Sequence, residues 1–168
     1  KDLHTKFGVA FQSDFLYADT MRENIDFGRE LTDEEIIAAT EDAQAEEFIE
    51  TLELGLEHRL HAKASNLSGG QKQRVLLSRA LAGNPEILIL DDSSSALDYK
   101  TDAQLRKVLT EKYSNTTTIM IAQRVSSIQN ADQILFIEEG NVSESGTHQE
   151  LLELKGKYYQ YYAHQNLF

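Results

Sequence analysis

The chain has 168 residues, no cysteine, one proline and a formal charge of −12 from 28 acidic and 16 basic side chains. That length suits one domain with a real core. The cysteine count excludes disulfides and thiolate metal sites, and the acidity argues against a sequence-independent grip on nucleic acid. No apolar run approaches 18 residues, and the start, Lys1-Asp2-Leu3-His4, is not a signal peptide.

The charge is uneven. Residues 30–57 carry 11 acidic side chains and no lysine or arginine, while the rest holds 17 acidic and 16 basic residues. In chain order, residues 7–11 read as a strand ending at Gln12, and the acidic segment then reads as helical. Thr32 and Glu35 form a capping box, with Asp33 and Glu34 in the first turn where the helix dipole favours anions. Ile36, Ile37, Ala39, Phe48, Ile49 and Leu52 supply apolar positions near helical spacing, and Gly55 is the expected stop.

From Leu67 the pattern alternates. A helix is predicted over 69–81, a strand covered on both faces over 87–90, a helix over 99–113 and a strand over 117–122. A further strand over 133–137 reaches a turn at 138–141, and the last helix opens at Thr147 with Glu150 as a second capping box. Strands alternating with helices predict α/β architecture with a largely parallel sheet. The aromatic run Tyr158, Tyr159, Tyr161, Tyr162 and Phe168 reads as packing of the terminal helix.

Two motifs carry chemistry. In Leu67-Ser68-Gly69-Gly70-Gln71, Ser68 can cap a helix and the glycines let backbone N–H groups approach an anion, most simply a phosphate. In Ile87-Leu88-Ile89-Leu90-Asp91-Asp92, a buried strand delivers carboxylates to the carboxyl edge of a sheet, where α/β proteins bind ligands and Asp91 could hold Mg²⁺. Asp98, after Ser95-Ala96-Leu97, would by itself pass as an N-cap.

The ordered set resembles the nucleotide-binding domain of an ATP-binding-cassette (ABC) exporter, and the resemblance covers essentially the whole chain. Residues 67–71 match the signature motif, 87–91 the Walker B strand and 95–98 the D-loop. Gln12 matches the Q-loop glutamine, and residues 119–124 match the switch loop at every position but one. Residues 140–152 look like the exporter C-terminal stretch. The resemblance implies part of a RecA-like P-loop NTPase core with an inserted all-α helical subdomain. It divides the chain into 1–13 (end of the N-terminal core piece and Q-loop), 14–66 (helical subdomain) and 67–168 (signature helix and C-terminal core). The acidic segment then falls in the helical subdomain, where its charge reads as a solvated surface.

The same resemblance implies ATP and Mg²⁺ as ligands, with Asp91 and Gln12 at the metal. Asp98 would communicate between sites, and Ser68, Gly69, Gly70 and Gln71 would contact ATP held by a second ABC subunit in a head-to-tail dimer. A transmembrane domain would be engaged through coupling helices, on the cytoplasmic face of a membrane, and no nucleic acid is expected. Before the signature, only Lys63 resembles the family's membrane-domain contact, so no role is carried onto residues 61–66.

Three departures matter. No Gly-x-x-x-x-Gly-Lys-Ser/Thr loop occurs; the only Gly-Lys, Gly156-Lys157, is followed by Tyr158. The family places that loop upstream of the Q-loop, so the chain is expected to begin inside the domain, to leave apolar surface uncovered and to bind ATP weakly alone. The catalytic glutamate position is Asp92, one methylene shorter, and misplacement by about 1 Å can cost about 10²-fold. The switch histidine position is Gln123, which can hydrogen-bond a phosphate but cannot be a cation. An intact signature beside two altered catalytic positions implies a degenerate site in a heterodimeric exporter. The rival readings are a soluble ABC-type ATPase of chromosome maintenance or translation, and a non-hydrolysing regulatory module.

Overall fold

A computed structural model describes residues 3–12 and 14–166, in two compact units, 1–121 and 122–168. Phe168 lies outside the described residues.

The first unit is an α/β layer with helices attached. Strand β1 (Phe7–Ala10) lies beside β2 (Ile87–Asp91), and β2 beside β3 (Thr117–Ile121), all parallel. Between β1 and β2 run the helices α1 (Met21–Asp26), α2 (Asp33–Asp42), α3 (Glu46–Glu50) and α4 (Gly69–Leu81), and α5 (Tyr99–Lys112) leads from β2 to β3. The predicted α/β class and parallel sheet are what the chain forms.

The first strand stops one residue short of the predicted 7–11, at Ala10. The predicted stop at Gly55 also shifts: α3 ends at Glu50, and Gly55 instead opens a 3-10 turn. Within α2, Ile36 and Ala39 are buried but Ile37 faces outward, because a surface helix buries only one stripe. The Thr32–Glu35 capping box is formed in both directions.

Helix α4 explains its own apolar density. Leu77, Ala80 and Leu81 join Leu88, Leu90, Leu105 and Leu109 in the core on the sheet. Val75, Leu76 and Ala82 instead join Met21, Ile25, Ile36, Phe48 and Leu60 in a second core among the helices. One helix thus supplies a wall to each core, which is why it is apolar on more than one face.

Strand β2 was expected to be covered on both faces. Leu88 and Leu90 are fully buried, whereas Ile87, Ile89 and Asp91 on the opposite face are half-buried. Strand β3 is an edge among the described strands, and its Ile119 and Ile121 are half exposed.

The acidic segment is not uniformly solvated. Asp42, at the end of α2, is buried; its Oδ2 accepts from the Tyr113 hydroxyl at 3.0 Å, and its Oδ1 pairs with Lys112. Arg22, from outside the segment, bonds both Asp33 and Glu57 at 2.6 Å.

The second unit pairs β4 (Ile134–Glu138) with β5 (Asn141–Gly146) in an antiparallel hairpin. Glu139 and Gly140 both take positive φ, as a two-residue type I′ turn requires. A short helix α6 (Val125–Ile128) precedes the hairpin, and α7 (His148–Leu154) and α8 (Lys157–Gln165) follow it. Thr147 and Glu150 form the predicted capping box. Val125, Ile134, Leu151 and Tyr158 make the core, with Tyr162 packed against it; Tyr159 and Tyr161 are exposed. Among the described residues no helix is long and apolar enough to cross a membrane.

Candidate nucleotide site

The carboxyl ends of β1 and β2 bring together two of the predicted residues. Gln12 follows β1 and Asp92 follows β2, and Gln12 Nε2 donates to Asp92 Oδ2 at 3.2 Å. Asp91 is the last residue of β2, and the period of two places it on the half-buried face with Ile87 and Ile89. Asp92 then turns the chain with φ +46°, a left-handed conformation that aspartate tolerates better than most side chains. Its N–H donates to the Ile121 carbonyl at 2.8 Å, and its own carbonyl accepts from Ser95 Oγ at 3.0 Å. The Asp91–Asp92 pair is therefore held at a fixed place on the sheet edge.

The signature residues form the first turn of α4. Ser68 Oγ accepts from the Gln71 N–H at 3.2 Å, and Gln71 Oε1 accepts from the Ser68 N–H at 2.9 Å. This is a complete capping box, so both polar side chains of the motif fix the turn. A β-carbon on Gly69 would meet nothing within 4 Å, which leaves that side of the turn open. On Gly70 it would lie 3.2 Å from the Ala96 carbonyl, so Gly70 lets the turn sit directly against residues 95–98. The first N–H groups of a helix have no partner within it, and the helix dipole makes such a turn favourable for an anion.

Asp98 caps α5: its carboxylate accepts from the Thr101 N–H at 3.0 Å and from Thr101 Oγ1 at 2.7 Å. These bonds, the backbone one foremost, hold its carboxyl below the usual aspartate range. Gln123 belongs to the second unit, where its side chain is exposed and its carbonyl accepts from Tyr161 Oη at 3.0 Å and Gln165 Nε2 at 2.6 Å.

The donors at the sheet edge are of the kind magnesium takes: Asp91, Asp92 and the Gln12 amide offer the hard oxygen atoms that Mg²⁺ prefers. What sequence reasoning missed is a set of arginines on and around α4. Arg74 donates to the Gln44 carbonyl at 2.8 Å and stacks 4.7 Å over the Phe48 ring, tying α4 to the start of α3. Arg79 and Arg29 lie deeper. The one available signal was a charged residue inside the apolar run Leu76-Leu77-Ser78-Arg79-Ala80-Leu81.

A parallel sheet with acidic residues at its carboxyl edge, and packed on it a capped helix whose first turn is open at Gly69, is the arrangement of a nucleotide-binding α/β domain. The ABC transporter family model matches residues 1–95, and the chain belongs to that family. It is 45% identical over 161 residues to an uncharacterized ABC transporter ATP-binding protein, YknU, of Bacillus subtilis, covering 95% of this chain and 27% of that protein. It is 44% identical to the ABC multidrug transporter MDR1 of Cryptococcus neoformans, covering 97% of the chain and 12% of that protein. A bacterial Atm1-family ABC exporter solved with ATP bound superposes with a TM-score of 0.91 at 35% identity, over 98% of this chain and 29% of that one. The chain thus spans less than a third of each of these relatives.

Proposed function

We propose that this chain is the ATP-driven motor part of an exporter, coupling nucleotide-dependent dimerisation to efflux of a substrate across a membrane. In this reading its own site is degenerate at Asp92 and Gln123, and Ser68, Gly69, Gly70 and Gln71 complete a competent site on a second, non-identical ABC subunit. Asp91, with Gln12, would hold Mg²⁺, which when bound neutralises phosphate charge. Gln12 would connect that site to the coupling interface, and Asp98 would link the two sites.

The observation that carries the reading is the contrast between two parts of one unit. The signature turn is fully built, with a reciprocal capping box and an open glycine face. Asp92, which this reading puts at the catalytic position, is a short carboxylate whose Oδ2 is engaged by Gln12 at 3.2 Å. Aspartate reaches less far than glutamate, and general-base catalysis needs the carboxylate within about 3 Å of the attacking water.

The reading is tested by ATP turnover of the full-length protein, alone and with a partner subunit. Turnover should be low alone and rise with the partner, and the double change Asp92→Glu, Gln123→His should raise it in the protein alone. Vigorous turnover by a homodimer, or no gain from the double change, refutes the degenerate-site assignment.

A further inference from the structure

Arg79 stands in the last turn of α4 and is only 6% exposed. Its guanidinium is committed to the chain that follows Gln12. Nε donates to the Asn24 carbonyl at 2.7 Å, Nη1 to the Phe15 carbonyl at 3.1 Å and Nη2 to Asn24 Oδ1 at 3.3 Å. The Asp14 carboxylate lies 3.7 Å from Nη1, and the Phe27 ring centroid 4.5 Å from Cζ.

Asn24 passes the hold onward. It is buried, its Oδ1 accepts from the Tyr17 N–H at 2.8 Å, and its Nδ2 donates to the carbonyls of Tyr17 and Thr20. Arg29 closes the clasp from the other side, donating from Nη2 to the Arg79 carbonyl at 2.8 Å and from Nη1 to the Ala82 carbonyl at 3.0 Å. Burial lowers the proton affinity of both arginines, yet a guanidinium stays charged in a protein, so each must be fully partnered to remain there.

A buried fork of this kind is directional in a way that an apolar side chain is not. It fixes Asp14 and Phe15, which lie two and three residues beyond Gln12, against one end of α4, and the other end of α4 is the Ser68-capped turn. The helix between is 13 residues, a rigid span of about 20 Å.

We propose that Arg79 is a positioning residue that makes the placement of Gln12 at Asp92 and the placement of the signature turn depend on each other. The inference rests on the ATP-motor reading above. In that reading Gln12 serves one composite site and Ser68, Gly69, Gly70 and Gln71 serve the other, so Arg79 joins the two sites through a single chain.

The test is a double-mutant cycle on MgATP turnover by the full-length protein together with its partner subunit, comparing wild type, Arg79→Lys, Gln12→Ala and the double variant. Lysine keeps the charge and loses the fork. Gln12→Ala and Arg79→Lys should each lower kcat about tenfold with KM for MgATP changed less than about twofold, because closure of the assembly around both nucleotides precedes turnover at the competent site, and the double variant should be within about twofold of Gln12→Ala alone.

A merely structural role would reduce the folded fraction by the same factor in both backgrounds, so losses that multiply overturn the inference, as does an unchanged kcat in Arg79→Lys. Should Arg79→Lys not fold, Phe27→Leu takes its place in the cycle. It removes the ring beneath the guanidinium, leaves the backbone acceptors, and should show the same non-additivity. A wild-type assembly without MgATP turnover overturns the ATP-motor reading and this inference with it. Wild-type turnover with multiplying losses overturns this inference alone.

Discussion

A β-carbon on Gly8 would lie 1.9 Å from the carbonyl oxygen of Ala80, so β1 and α4 meet backbone to backbone. No side-chain rotation relieves such a contact, because the obstructing atom belongs to a helix that is packed on two sides. Gly8→Ala should therefore push α4 off the sheet and destabilise the domain by about 3 kcal/mol or more, the upper range for overpacking. Thermal unfolding should show a loss on the order of 10 °C, or no folded product.

Tyr113 and Asp42 are joined across 71 positions of sequence by a 3.0 Å hydrogen bond. Tyr113→Phe strands one oxygen of a buried carboxylate and should cost about 1–3 kcal/mol in denaturant unfolding. Burial, with Asp42 adding to it, pushes the Tyr113 phenol far above its usual range. A raised folded-state value contributes stability that is complete below the unfolded tyrosine value of about 10 and is lost as pH climbs beyond it. Phenolate absorbance should show late-titrating tyrosines that ionise only with unfolding, and Tyr113→Phe should remove one of them. Tyr158, also pushed up by burial, should remain late.

The Asp98 carboxyl should titrate below an ordinary aspartate in an NMR pH series, because Thr101 donates to it twice. A depressed carboxylate contributes stability above its unfolded value and loses it as pH falls through the folded one, so the effect is confined to acid. Thr101→Val removes the hydroxyl donor and keeps the N–H. The Asp98 value should rise part of the way back, with little change at neutral pH.

Asp92→Glu should separate stability from turnover. Glutamate is less at ease than aspartate at φ +46°, so the unfolding free energy should fall by about 0.5–1 kcal/mol. Longer reach toward the attacking water should nonetheless raise ATP turnover in the full-length protein, most of all with Gln123→His. A variant that loses stability without gaining turnover argues against the degenerate-site reading.

Local features were legible in the sequence. The Thr32 and Thr147 capping boxes formed as read, because each depends on residues three apart, and Ser68 caps α4 as expected, with Gln71 completing a box that was not read. Helix α4 and strand β2 were read nearly to the residue, since both are dense apolar runs with clear stops. The buried polar network was not legible. Arg79 finds Asn24 and Phe15 55 and 64 positions away, and one sequence carries no mark of that pairing. Asp42 was hidden among ten other acidic residues of that segment as part of a solvated face, and only the fold sets it against Tyr113.

The position of α4 between two cores constrains how the signature turn can move. A helix gripped on one side can roll; α4 is gripped on both, so rolling it would break one packing or the other. Close-packed interiors resist gradual deformation and favour discrete alternatives. The turn at Ser68 is thus anchored through α4 to both cores at once, and any displacement of it has to be carried through the Gly8–Ala80 contact.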